Sequence, residues 1–199
     1  MKSDSIAFGI AGIAFGLIAG WIIGSQQAPS RQPPAQATTS QAPAPANTRA
    51  AVIDDAKVTA LKSVAEREPS NAKPRIDLGN LYFDAERYDD AISWYEAALK
   101  LTPRDVNLST DLGVCYYYTN QPDKALAQFD KSLAIDPKHA KTLLNLGIVR
   151  AFGKQDLAGA TKAWEQVMAI DPNSPEGQAA KRALDTLRSA HGGDTKPGA

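Results

Sequence analysis

The sequence predicts an all-α chain in which helix hairpins stack side by side, behind one membrane-spanning helix and a linker. Three observations carry this prediction. Pro69, Pro103 and Pro137 lie 34 residues apart, and Pro172 follows after 35. Between them one pattern recurs, as Leu78-Gly79-x-x-Tyr82, Leu112-Gly113-x-x-Tyr116 and Leu146-Gly147-x-x-Arg150. Ahead of them, residues 6–24 form an uncharged run. Self-similarity at such a period marks a stacked array of one small structural unit.

Taken in chain order, residues 1–5 are a short tail with one basic residue, Lys2. The run 6–24 is long enough, at about 1.5 Å per residue, to cross the roughly 30 Å hydrocarbon core of a bilayer. It exceeds the roughly 7–15 apolar residues of a cleavable signal. No A-x-A site follows it, so a retained anchor with the lipid bilayer as partner is expected. Trp21 sits near its far end, where an indole suits the headgroup boundary. Gly12, Gly16, Gly20 and Gly24 recur every four residues, which on a helix makes a bare groove that suits helix pairing. The short tail with Lys2 places the amino terminus in the cytoplasm and the domain outside it. In a bacterium that means the inner membrane, with the domain in the periplasm. Residues 25–50 change to Gln, Ala, Ser, Thr and five prolines, a composition that cannot bury a core and reads as a disordered tether.

Residues 51–190 read as helices throughout. The pairs are about 72–85 with 88–101, 106–119 with 122–135, and 140–153 with 156–170, within repeats of about 72–105, 106–139 and 140–174. The glycines of the Leu-Gly pairs remove a side chain where two antiparallel helices meet. On the second helix of each pair a small residue stands four before a ring: Ala91 and Tyr95, Ala125 and Phe129, Ala160 and Trp164. Ala98 adds a further close approach. Asp105 suits a helix cap, and Pro122 suits a first turn. Helices 52–67 and 175–189 cap the ends, and residues 191–199 read as a disordered tail. One extra residue in the third unit is expected between its helices, around Gly153 to Gly159.

The Leu-Gly-x-x-Tyr, Ala-x-x-x-Phe and proline set resembles the tetratricopeptide repeat. The resemblance implies a right-handed α-superhelix of three repeats with flanking caps. Arg75, Ser109 and Leu143 stand where that motif usually carries tryptophan, and Arg150 stands where it carries tyrosine. It further implies that the leading helix of each unit lines a peptide-binding groove. By position those residues are Lys73, Ile76, Asp77, Asn80, Phe83 and Asp84, then Asn107, Thr110, Asp111, Val114, Tyr117 and Tyr118. The third unit supplies Lys141, Leu144, Asn145, Ile148, Ala151 and Phe152. The aromatic residues form a stripe, and Asp77, Asp84 and Asp111 add acidity. An alternative reading puts Tyr117 and Phe152 in the core between repeats. Some members of the family clamp the carboxy terminus of chaperones. Here only Asn80 and Lys141 match that clamp, and Ile76, Asp111 and Asn145 depart from it. The groove is expected to suit an apolar or amphipathic segment with a few basic residues.

Net charge is +0, which argues against a nucleic-acid partner. Cys115 reads as a buried apolar residue, and His139 and His191 as solvated surface residues. No nucleophile–base pair, phosphate loop or metal set is present, so no catalysis, cofactor, metal or small-molecule substrate is expected. The function expected is capture of a protein or peptide client beside a membrane. Anchored repeat proteins of this shape resemble accessory factors of cytochrome c maturation, pilus or secretion assembly and the translocon. The alternative is a scaffold that forms a homo-oligomer through its glycine-patterned helix.

Overall fold

The computed structural model describes residues 52–191, all within the compact unit Ala50–Ala199. The apolar run 6–24 with its four glycines, the linker 25–50 and the tail from residue 192 lie outside the described residues. Among the described residues no helix is long and apolar enough to cross a membrane.

Eight helices follow one another, with no strand among the described residues. They are α1 (Asp55–Arg67), α2 (Lys73–Asp84), α3 (Tyr88–Leu99), α4 (Val106–Tyr118), α5 (Pro122–Ile135), α6 (Ala140–Ile148), α7 (Leu157–Ile170) and α8 (Pro175–His191). A π-helical turn, Val149–Gly153, continues α6. Side-chain caps start several of them. Asp54 accepts from the backbone N–H of Ala56 and Lys57, Asp105 from Leu108, Asp156 from Gly159 and Ser174 from Gly177. Each supplies an acceptor to a backbone donor that has none inside the helix. Pro122 opens α5, where its missing N–H costs nothing.

Three hairpins result: α2 with α3, α4 with α5, and α6 with α7. One contact closes each of them. A Cβ added to Gly79 would overlap the ring of Tyr95. The same holds for Gly113 against Phe129 and for Gly147 against Trp164. All three rings are almost fully buried. The heteroatoms of two are satisfied: the Tyr95 hydroxyl donates to Asn80 Oδ1 (2.8 Å), and the Trp164 indole N–H donates to the Leu144 carbonyl (3.1 Å). Around the first contact pack Val58, Leu78, Tyr82, Ala91 and Ala98, and this core runs on through Leu108, Leu112 and Cys115. A second cluster joins Ala125 and Phe129 to Leu146, Val149 and Ala163 of the third hairpin. The core is therefore shared between neighbours, as stacking of units too small to bury their own faces requires. At the ends, α1 packs on α2, and α8 packs on α6 and α7.

Each hairpin turns through one residue of positive φ: Glu86 (57°), Asn120 (60°) and Gln155 (56°). After it, a backbone N–H reaches back to the leading helix: Arg87 to Tyr82, Gln121 to Tyr116 and Asp156 to Arg150, each at 2.8 Å. The first two bonds span five residues and the third spans six. The extra residue of the third unit thus sits inside the last turn of its leading helix, as the π segment, and not between the helices. The physical reason is that the turn and the closing bond keep their geometry, so the insertion widens the preceding turn instead.

Leu112 is 3% exposed and packs between the first two hairpins, whereas Leu101 is 39% exposed. Leu112→Ala is expected to cost about 2–5 kcal/mol, and Leu101→Ala no more than about 0.5 kcal/mol. Urea denaturation of the two variants tests this, and similar midpoints would contradict the packing described.

Candidate binding groove

The leading helices α4 and α6 contact one another directly, and α2 shares a buried core with α4 through Leu78, Tyr82, Leu108, Leu112 and Cys115. Burial of the expected groove positions rises along the series. Lys73 and Asn107 are exposed while Lys141 is partly buried. Ile76 is partly buried while Thr110 and Leu144 are buried. Asn80 is exposed, Val114 partly buried and Ile148 buried. Asn145 and Ala151 are buried as well. Thr110, Leu144, Asn145, Ile148 and Ala151 therefore pack inside the domain rather than facing outward. The open part of the groove narrows to the first two units, because α8 packs on α6 and α7.

Most of the charges expected there are neutralised within the chain. Asp77 is held by Lys73 (3.0 Å) one turn earlier. Asp111 is held by Lys141 from the next unit (2.7 Å). Burial pushes the Asp111 carboxyl up, and the Lys141 ammonium opposes this. No hydrogen bond or ion pair engages the Asp84 carboxylate among the described residues. It ends α2, where the helix dipole disfavours negative charge. Burial raises its pKa too, against a lowering by Lys57.

Where α2 ends, α3 begins and α4 ends, the structure gathers four rings. Tyr88 and Tyr118 stack at 4.5 Å, Phe83 meets Tyr88 edge-on at 5.5 Å, and Tyr117 tilts against Tyr118 at 5.9 Å. Phe83, Tyr117 and Tyr118 were expected on this face, and all three are half-buried. Tyr88 was not expected. It is the first residue of α3, and its counterparts in the other units are Pro122 and Leu157, so no recurrence marks it. Burial pushes the Tyr117 and Tyr118 hydroxyls up to about 12, which keeps them as neutral donors. Phe152 is also half-buried, at the end of the third leading helix. Among the described residues no group of side chains could hold a metal ion.

His139 departs from the surface role expected of it. Its Nδ1 lies 2.7 Å from Thr142 Oγ1, which lies 2.6 Å from Thr110 Oγ1. Thr110 donates to the Val106 carbonyl (2.7 Å). With that proton committed, Thr142 donates to Thr110, and Nδ1–H of His139 donates to Thr142. Nε2 lies 3.1 Å from Asn107 Oδ1, an acceptor, so the neutral Nδ1–H ring bonds only at Nδ1, and only the imidazolium donates at both nitrogens. The imidazole ties α6 to α4 through Thr142 and Thr110.

Tetratricopeptide repeat models match residues 70–138 and 110–175. The fold is similar to solved structures of MamA (19% identity, TM-score 0.56), covering 67% of this chain and 88% of that one. It is similar to the first such domain of Spaghetti (RPAP3) bound to the HSP90 peptide SRMEEVD, at 27% identity and TM-score 0.55, covering 60% of this chain and 94% of that one. It is also similar to the Yersinia enterocolitica type III secretion chaperone SycD in complex with a peptide of the translocator YopD. That likeness is 19% identity and TM-score 0.54, over 59% of this chain and 89% of that one. No curated protein matches the sequence as a relative.

Burial holds the His139 pKa below its ordinary 6.5, against the carboxylates of Asp136, Asp111 and Glu176, while Lys141 lowers it further. The unfolded chain then binds a proton before the folded one does, so stability falls as pH drops from 6.5 through the folded value. Asp111, raised, contributes with the opposite sign. Urea midpoints at neutral and mildly acidic pH should therefore fall more steeply for the wild type than for His139→Gln. Equal slopes would contradict the assignment.

Proposed function

The chain carries tetratricopeptide repeats over residues 70–175, and we propose that this domain captures a peptide segment of a protein client on the face made by α2 and α4. The observation that carries the reading is the ring cluster of Phe83, Tyr88, Tyr117 and Tyr118 at the end of α2, where the exposed Asp84 carboxylate makes no hydrogen bond or ion pair and only Lys57 offsets it at longer range. Rings offer apolar area with little side-chain entropy to lose, and a carboxylate at a helix end favours a cation next to it. An apolar or amphipathic segment with a lysine or arginine matches both features. Two of the similar solved structures hold peptides, one from HSP90 and one from YopD, which supports peptide capture by this architecture.

An acidic chaperone tail suits this groove poorly. Lys141, which matches the family's carboxylate clamp, is engaged by Asp111 at 2.7 Å. Asn80 accepts from Tyr95, and Asn145 is buried with its amide on the Lys141 carbonyl. A carboxylate ligand would meet Asp111 and Asp84 instead of free cations.

In the same proposal, residues 6–24 anchor the chain in a bilayer and residues 25–50 tether the domain beside it. The amino terminus lies in the cytoplasm and the domain on the far side. The protein then acts as an assembly or accessory factor and performs no chemistry of its own. Its uncharged run and glycine spacing support this part.

Photo-crosslinking from position 117 in intact membranes should capture a polypeptide other than the chain itself. Tyr118→Ala and Asp84→Lys should each lower that capture by about tenfold, the effect of one hot-spot contact of roughly 1.4 kcal/mol. Capture of lipid alone, or of the chain alone, would overturn the reading. Protease protection of the domain in intact cells checks the side of the membrane.

A further inference from the structure

At 3.6 residues per turn, Ser109, Leu112 and Tyr116 project from the side of α4 opposite Thr110, Asp111 and Val114. There a cleft of about 350 Å³ opens between α3, α4 and α5, clear of the peptide groove. Its size falls in the range of small-ligand sites.

The cleft exists because one layer of the second unit is filled differently from its counterpart in the third. In the third unit that layer is Leu143, Ala163 and Val167, all buried and apolar. In the second unit the same places hold Ser109, Gln128 and Ser132, also buried but polar. In the first they hold Arg75, Trp94 and Ala98. The polar set is internally bonded. Gln128 Nε2–H donates to Ser109 Oγ (2.8 Å), the two serine hydroxyls bond at 2.8 Å, and Ser132 Oγ lies 3.1 Å from the Gln128 carbonyl. Ser109 is smaller than Arg75 and Leu143, and Ser132 smaller than Val167, which leaves volume unfilled, and Gln128 retains one amide hydrogen beyond the bond to Ser109. Ser109 and Gln128 both line the cleft.

The walls are apolar, from Leu99, Pro103, Leu112 and Ile135. The rim carries two cations and one carboxylate. Glu96 is occupied, accepting from the Tyr116 hydroxyl (2.5 Å). Lys131 donates only to Gln128 Oε1 (3.3 Å), and neither Lys131 nor Lys100 joins an ion pair among the described residues. Trp94, at the first unit's counterpart of Gln128, is partly buried against its core, so an indole fits this layer of the repeat.

We propose that this cleft is a binding site for an aromatic carboxylate, its ring between Leu99, Leu112 and Ile135 and its charge between Lys100 and Lys131. The chemistry is that of a free aryl-alkanoic acid or of a carboxy-terminal aromatic residue. A ligand of this size is expected to bind with a Kd of about a millimolar.

The full chain in lipid nanodiscs, titrated against fluorine-labelled indolepropionate and followed by fluorine NMR, tests this, with empty nanodiscs as the blank. The expected result is saturable broadening near millimolar concentration, weakened about tenfold or more by Ser109→Leu/Gln128→Ala/Ser132→Val. That variant copies the layer found in the third unit. Lys100→Glu/Lys131→Glu changes the rim and removes only the 3.3 Å bond from Lys131 to Gln128 Oε1 from the layer beneath, leaving the Ser109–Gln128–Ser132 bonds in place. It should weaken the acid severalfold and leave the uncharged indolepropionamide unaffected. A peptide ending in a free carboxy-terminal Trp, run in parallel, separates the two sources: tighter binding than the free acid assigns the site to a polypeptide end, and weaker binding to a small molecule. Absence of saturable broadening by both probes, or equal binding by the wild type and both variants, would overturn the proposal.

Discussion

Each hairpin is closed by a ring laid on a glycine: Tyr95 on Gly79, Phe129 on Gly113 and Trp164 on Gly147. The absence of a Cβ sets how closely the two helices of a pair approach, and the ring sets how far apart they remain. A close-packed interior transmits such a spacing, because little empty volume can absorb a change. The leading helices are therefore carried at a common spacing, and α2, α4 and α6 present corresponding positions in sequence. Everything argued about the groove depends on that register.

The groove is not uniform along its length. Side chains at equivalent positions become more buried from α2 to α6, and cations and carboxylates cancel in pairs, Lys73 with Asp77 inside the first unit and Asp111 with Lys141 between the second and third. What remains outward is a ring cluster and, at the end of α2, the Asp84 carboxylate, which only Lys57 offsets. Partly exposed pairs of this kind contribute little to stability. The Asp111–Lys141 pair is better enclosed, and with the His139–Thr142–Thr110 chain it joins the second and third units through polar contacts. Stacking of the last two units thus combines apolar burial with directional bonds that fix their relative rotation.

The repeat was legible because its packing residues recur at 34 and leave a pattern a reader can count. The cap at Asp105 and the first-turn proline Pro122 were legible for the same reason that they work, since their local chemistry does not depend on distant residues. Tyr88 escaped because it recurs nowhere, and its importance comes only from Tyr118, thirty residues away. The positive-φ turns escaped because Glu86 and Gln155 are not residues that mark such a conformation, although Asn120 is. The position of the extra residue in the third unit depended on a competition between a loop and a helical turn that composition does not decide. His139 looked like a surface residue because its partners, Thr142 and Asn107, carry no motif.

A double-mutant cycle between Gly113→Ala and Phe129→Leu, read by urea denaturation of the full chain, tests the glycine–ring contact most directly. If the added methyl and the ring compete for one space, the smaller leucine relieves the clash. The double variant is then more stable than the sum of the single losses predicts, with a coupling of about 0.5–3 kcal/mol. Strict additivity would mean that the two residues do not share that space, and the common register of the leading helices would fall with it.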